Sequence, residues 1–213
     1  MLRMNTPSDE DIRDLLIQNA TSGPAFADFL IDFDKKGFLG SRLPEFKRTQ
    51  FQPHDKKHHP EAKGTVWGHI IAAIRASNSN EPLNLLCTAW HDCGKGRPLA
   101  ADTGAFTYAD HHLVGVPVFF RANRRLKFDA DYVSAITHVI EHHHQARYLI
   151  DRSCPRAQVI RLRGDPRWDI LRETMTADLS CRLHLWNPEQ WLATMAWAER
   201  VYEEWLASIA DHN

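Results

Sequence analysis

Several features are missing from this chain of 213 residues, and each omission rules out a class of protein. No apolar run approaches the ~20 residues needed to cross a bilayer, so no membrane-spanning helix is expected. The amino-terminal stretch MLRMNTPSDEDIRD lacks the apolar core of a signal peptide, and a cytoplasmic location is expected. Net charge is nearly absent. The 26 Lys and Arg are matched by 27 Asp and Glu, a balance of −1, which leaves no bulk field to draw in duplex DNA or an anionic membrane. The four cysteines, Cys87, Cys93, Cys154 and Cys181, include no CxxC pair. Two lie in apolar helical patterns, where a thiol is a small hydrophobe, and all four are expected to be reduced. Strand signals are close to absent, with no extended alternation and no hairpin turn between apolar runs. No internal repeat or low-complexity linker divides the chain. What these absences leave is an all-α globular fold, and the 43% apolar and 25% charged content agrees with it.

The helices are read from their apolar spacing. Ser8-Asp9-Glu10 opens the first, with Ile12, Leu15 and Leu16 on one face. Gly23-Pro24 breaks it, and a second runs through Phe26, Phe29, Leu30 and Phe33 to Gly37 or Gly40. The stretch from Ser41 to His69, with three prolines and few apolar residues, is expected to be a long loop. Val66, Trp67, Ile70, Ile71 and Ile74 then form a stripe beside His69. The run from Leu83 to Trp90 is a further helix, and a second open loop covers Gly96 to Asp110. Asp110 is placed to cap a helix at His111-His112, although Pro117 must kink it or mark its true start. Asp129 or Asp131 begins the next, closed by His142, His143 and His144. After a presumed loop rich in Arg and Pro, Ile170, Leu171, Thr174, Met175, Asp178, Cys181 and Leu185 share one face. A last helix from Pro188-Glu189 carries Trp191, Met195, Ala198, Tyr202, Trp205 and Ile209 as a core stripe.

Thirteen histidines are the unusual count, and most are expected on solvated surface or in crowded loops. The stretch AWHDCGKG, Ala89 to Gly96, is the exception. It sets His91 and Asp92 at the end of an apolar helix that stops at Gly94, with Lys95 and Arg97 beyond. Asp178, in the middle of an apolar stripe, must be compensated, either by an ion pair with Arg182 one turn on or by a metal. Together, His69, His91-Asp92, Asp178 and the histidine groups at 111 and 142 give each of several helices a ligand-type side chain. Imidazole and carboxylate suit borderline or hard divalent metals.

The order His69, His91-Asp92, Asp178 resembles the HD-domain metal-dependent phosphohydrolases. LPEF with HHPEAKGTVWGH, then HDCGKG, HHLVG, KFDADYVSAITHVIEHHH and TADLSCR are similar to the HD domain of bacterial CCA-adding tRNA nucleotidyltransferases, over most of residues 43 to 183. No nucleotidyltransferase head, a Gly-Ser turn followed by an Asp-x-Asp pair, lies upstream, so addition of nucleotides to tRNA is not expected. The resemblance implies an HD helical bundle with a core over about residues 60–185, an amino-terminal helical extension and loop over 1–59, and a carboxy-terminal helix over 188–210. It implies a divalent metal held by His69, His91, Asp92 and Asp178, and a second ion with His111 and His143, His142 and His144 being hard to separate from the latter by register. The chain departs from the family pattern at His112, where an acidic residue is common, and at Pro117.

The chemistry expected is hydrolysis of a phosphoester. A divalent ion lowers the pKa of bound water from ~15.7 toward ~7. Asp92, or a histidine of the second group, is placed to take the water's proton. Lys95 would hold a phosphoryl oxygen, with Arg97 and His59 as further substrate contacts. The ion, one or two per chain, is any of Mn, Ni, Co, Fe, Zn or Mg. The resemblance suggests a nucleotide or RNA-end substrate, including a 2′,3′-cyclic phosphate. Arg42, Lys47, Arg48, Lys56 and Lys57 are placed to border the site and take a phosphate backbone, whereas Arg124, Arg125 and Lys127 read as a solvated face. The contrasting readings are a non-catalytic HD module with a structural or ligand-sensing metal, and an RNA-binding adaptor.

Overall fold

The computed structural model describes residues 7–54, 59–96, 108, 110–182 and 186–210, and among them it forms twelve α-helices and no strand. The helices are α1 (Asp9–Asn19), α2 (Gly23–Lys35), α3 (Phe38–Arg42), α4 (Pro44–Thr49), α5 (Val66–Ala76), α6 (Pro82–Trp90), α7 (His111–Leu126), α8 (Ala130–His142), α9 (Gln145–Ile150), α10 (Arg156–Arg163), α11 (Trp168–Ser180) and α12 (Pro188–Ala210). Among the described residues no helix is long and apolar enough to cross a membrane. The fold is an all-α bundle.

Local chemistry starts most of these helices where the sequence places them. Ser8 caps α1 in a full capping box, its side chain accepting from the Asp11 backbone while Asp11 reaches back. Gly23-Pro24 breaks the chain by forming the first turn of α2 behind the Ser22 cap. Thr65 caps α5 and Asp129 caps α8. Pro117 neither ends nor begins α7, which runs on to Leu126. It sits on the exposed side, where water can take the carbonyl its ring leaves unpaired. Asp110 precedes α7 without a side-chain capping bond.

Two expected loops are helical instead. In the first, α3 and α4 occupy the start of the Ser41–His69 stretch, and a 3-10 turn covers Pro60–Ala62. Its apolar residues are few but large: Leu43 and Phe46 are buried, and the Phe46 ring packs 4.4 Å from Trp90 and 6.1 Å from Trp67. Burying one such ring contributes roughly 1.5–3 kcal/mol, enough to hold a helix of six residues that propensity alone would not. In the second, the Arg- and Pro-rich segment folds as α9 and α10, tied down by buried Leu149, Val159 and Leu162. The stripe on α12 is core only at its start. Trp191, Ala198 and Val201 are buried, Trp205 is half-buried and Ile209 is exposed.

α6 is the axis of the bundle. Every residue from Leu85 to Trp90 is buried, with α1, α5, α8 and α11 packed around it. Burial on every side forces whatever follows Trp90 to emerge inside the protein rather than at its surface.

Candidate metal centre

His91 and Asp92 emerge there, in the turn between α6 and a short 3-10 segment, Cys93–Gly96. Gly94 does not act as a left-handed helix stop. A Cβ on it would lie 1.9 Å from the His111 carbonyl oxygen and 2.7 Å from the Gly115 nitrogen. The glycine allows the first turn of α7 to press directly on this segment, and Gly115 lets α7 sit as close to α8, a Cβ there falling 2.6 Å from Ile140 Cγ2. That double close approach brings His111 from α7 and His143 from the end of α8 onto Asp92.

Five elements thus supply one buried cluster. His69 comes from α5, His91 and Asp92 from the turn after α6, His111 from α7, His143 from just past α8, and Asp178 from α11. His69 and Asp92 have no exposed surface, and His91, His143 and Asp178 are buried. His69 Nε2 lies 2.9 Å from Asp178 Oδ1 and 3.5 Å from Asp92 Oδ2. His91 Nε2 lies 3.3 Å from Asp92 Oδ2, and the Nε2 atoms of His111 and His143 are both 3.4 Å from Asp92 Oδ1. Asp92 is therefore common to two groups with metal-ligand spacing, His69-His91-Asp92 and Asp92-His111-His143. Of the two alternatives for Asp178, the ion pair is present, Arg182 reaching Oδ1 at 2.5 Å.

The ring orientations decide what this cluster can hold. In every one of the four histidines, Nδ1 faces an acceptor: Glu61 Oε1 for His69 at 3.0 Å, and backbone carbonyls of Thr88 for His91 and Tyr108 for His111, both at 2.6 Å. His143 Nδ1 is 3.1 Å from the carbonyls of Val139 and Ile140. A carbonyl only accepts, and so does a carboxylate, so Nδ1 carries a proton and in the neutral ring Nε2 keeps its lone pair. The lone pairs of His111 and His143 then face each other across 3.0 Å. His91 Nε2 and Asp92 Oδ1 are buried with no hydrogen-bond partner, and His69 Nε2 has only the Asp178 carboxylate oxygen at 2.9 Å within hydrogen-bond distance. Lone pairs gathered so closely, away from water, cost several kcal/mol unless a cation lies among them. The donor set of imidazole and carboxylate fits a divalent ion.

Electrostatics keep the carboxylates ready for one. Burial opposes the charge on Asp92, but Lys95 and His91 outweigh it and hold the carboxyl well below the usual range. Burial likewise opposes Asp178, and Arg182 and His69 pull it well down. Burial pushes His111 down to about 3 and lowers His143, so both are neutral near pH 7. His91 is the exception. Burial lowers it, yet Asp92 and Asp178 together raise it above its ordinary value, so without an ion a proton competes for its Nε2.

Above the cluster a cavity of about 200 Å³ is lined by Asp92, Asp178, Lys95, His59, His111 and Arg182, among others. Lys95 is not a solvated loop lysine. Its Nζ is 2.7 Å from Asp92 Oδ2 and its side chain is 12% exposed. The three adjacent histidines separate cleanly: His143 turns inward, His142 packs on His138, and His144 stacks 4.1 Å from His112 at the cavity edge. Arg97 lies outside the described residues, as do Lys56, Lys57 and His58. Of the basic residues expected to border the site, Arg42 lies 3.7 Å from Asp9 and Lys47 2.9 Å from Asp34. Of the expected solvated face, Arg124 and Lys127 are exposed while Arg125 is half-buried against Glu45.

Most histidines were expected on solvated surface or in crowded loops; of the ten described, six are half-buried and four, His69, His91, His138 and His143, are buried. Glu61, and His54 with its ring 5.1 Å from that of His69, were not expected at the centre. Glu61 sits eight positions before His69, in a turn with no periodicity to mark it. Arg182, expected only as an ion-pair partner, also lines the cavity. No family model matches the chain, and no curated protein matches it.

Proposed function

We propose that the chain is a metal-dependent phosphohydrolase of the HD-domain type, acting on a phosphoester of a nucleotide or RNA end. The observation that carries this reading is the convergence of four imidazole lone pairs on two carboxylates at the floor of a cation-lined cavity. His69, His91, Asp92 and Asp178 would hold one divalent ion, and Asp92, His111 and His143 a second. Such an ion supplies water of lowered pKa and offsets the charge that builds on the phosphorus.

The chain's own residues supply the rest. Lys95 and Arg182 stand where a phosphoryl group entering the cavity meets two cations, a pairing stronger than neutral hydrogen bonds. Asp92, or a neutral imidazole on the cavity wall, would take the water's proton. His59 is an imidazole on that wall that the proposed ions would leave free. Because Arg42 and Lys47 are engaged by acidic neighbours, a small nucleotide is favoured over a long RNA contact on that side. A structural or sensing metal in a non-catalytic module is the contrasting reading. An open cavity reaching both carboxylates argues against it, since structural centres are closed by protein ligands.

Elemental analysis of the purified protein, followed by hydrolysis of a phosphomonoester and a 2′,3′-cyclic nucleotide with each of Mn, Ni, Co, Fe, Zn and Mg, tests the proposal. Bound metal and hydrolysis are expected, and Asp92→Ala is expected to lose both. Full activity in a metal-stripped Asp92→Ala protein would end it. Binding that weakens steeply with salt would favour an RNA end, and a slope near zero a small nucleotide.

A further inference from the structure

Three of the four inward-facing histidines have Nδ1 fixed by backbone carbonyls. His69 alone is fixed by a side chain, Glu61, and the same oxygen serves a second ring. Glu61 Oε1 is 3.0 Å from His69 Nδ1 and 3.0 Å from His59 Nδ1. His69 belongs to the buried cluster, while His59 lines the cavity.

The placement of Glu61 is built in. It lies in the 3-10 turn Pro60–Ala62, which is pressed against the first turn of α5. A Cβ on Gly68 would lie 2.0 Å from the Ala62 carbonyl oxygen, so only glycine at 68 lets the turn sit close enough for Glu61 to reach His69. Glu61 is itself about nine-tenths buried, and its second oxygen, Oε2, has no hydrogen-bond partner. A buried carboxylate with one oxygen doubly used has been committed to those two rings.

We infer that Glu61 is a positioning residue that sets the tautomer of both histidines, so that His69 offers its Nε2 lone pair to the metal centre and His59 offers its own on the substrate side. The inference rests on the metal-centre reading above. A carboxylate accepts from both Nδ1–H groups at once, which a neutral amide does less strongly. An outer carboxylate of this kind orients a ligand histidine and raises its basicity. Cys181 also lies near His69 Nδ1, its sulfur 3.8 Å away, but the thiol donates to the Asp178 carbonyl and burial raises its pKa. As a weak donor already engaged there, it does not replace Glu61 as the acceptor for His69.

Two measurements test this. Long-range proton–nitrogen correlation spectra of metal-free, 15N-histidine-labelled protein report tautomers directly, with peaks assigned through His59→Gln. In the wild type, His69 and His59 are both expected as the Nδ1–H form. In Glu61→Gln, His69 is expected to redistribute toward Nε2–H, and affinity for Co(II), read from its visible absorption, to fall about 10–100-fold. An Nε2–H form of His69 in the wild type overturns the inference, and that spectrum needs no variant to fold. So does a folded Glu61→Gln protein with unchanged tautomers and Co(II) affinity within twofold. A wild type with the expected tautomers that takes up no metal sinks the metal-centre reading and leaves the Glu61 assignment standing.

Discussion

At the scale of single residues, the centre is organised by protons rather than by charge alone. Each ligand-type imidazole has its outer nitrogen tied to an acceptor, and the inner nitrogens are left to compete for whatever cation is present. Lys95 occupies a revealing position in that competition. Its ammonium lies on Asp92, the residue common to both ligand groups, and at the same time on the cavity wall. A lysine that only neutralised Asp92 would weaken metal binding, whereas one that serves substrate would weaken turnover when lost. Lys95→Ala is therefore expected to keep its metal content, or gain affinity, while the rate on a phosphoester falls roughly 10²–10³-fold, as for loss of one charge-stabilising donor. Elemental analysis and steady-state rates on the same preparation check this, and an unchanged rate would remove Lys95 from the site.

At the scale of elements, the centre depends on two glycines that bring helices into contact. Gly94 and Gly115 face each other across the seam between the Cys93–Gly96 segment and α7, and α7 carries His111. Gly94→Ala places a methyl 1.9 Å from the His111 carbonyl oxygen, against backbone that cannot swing aside as a side chain does. It is expected to destabilise the protein by about 1–3 kcal/mol or more, read as a lowered urea midpoint, and to weaken metal binding through displaced His111. Gly40→Ala is the control, because the nearest atom to a Cβ there is Lys47 Cγ at 3.8 Å. Equal midpoints for the two variants would refute the close-approach role.

At the scale of the whole molecule, burial of neutral histidines couples stability to pH. His138 is pushed to about 4 and His111 to about 3, chiefly by burial. Both stay neutral in the folded chain while the unfolded chain protonates its histidines below about 6.5. The unfolded state then binds more protons, so metal-free stability is highest above about pH 6.5 and declines as pH falls toward 4. Each such histidine contributes a slope of at most about 1.4 kcal/mol per pH unit. Denaturation of metal-free protein across that range is expected to show the decline, and His138→Gln, which lies away from the ligands, to flatten it. A stability flat from pH 7 to 4.5 would contradict the buried neutral state. At pH 7, a divalent ion at 100 times its dissociation constant should add ~2.7 kcal/mol, reversed by a chelator.

Much of the bundle was legible from residue spacing, because an amphipathic helix declares its buried face every three to four positions. Ser8, Thr65 and Asp129 announced their caps, and His69, His91, Asp92 and Asp178 stood out as polar side chains on apolar stripes. Short helices held by one or two large side chains, such as α4 under Phe46, carried too little period to be seen. The roles of Gly94, Glu61 and Arg182 were invisible for a different reason. Each depends on a partner tens of residues away or on a turn without periodicity, and so on distances that exist only after the helices pack. Sequence by itself determined which residues are able to ligate a cation. Only the tertiary structure decided which nitrogen each one presents, because a tautomer is set by whatever acceptor the fold places behind the ring.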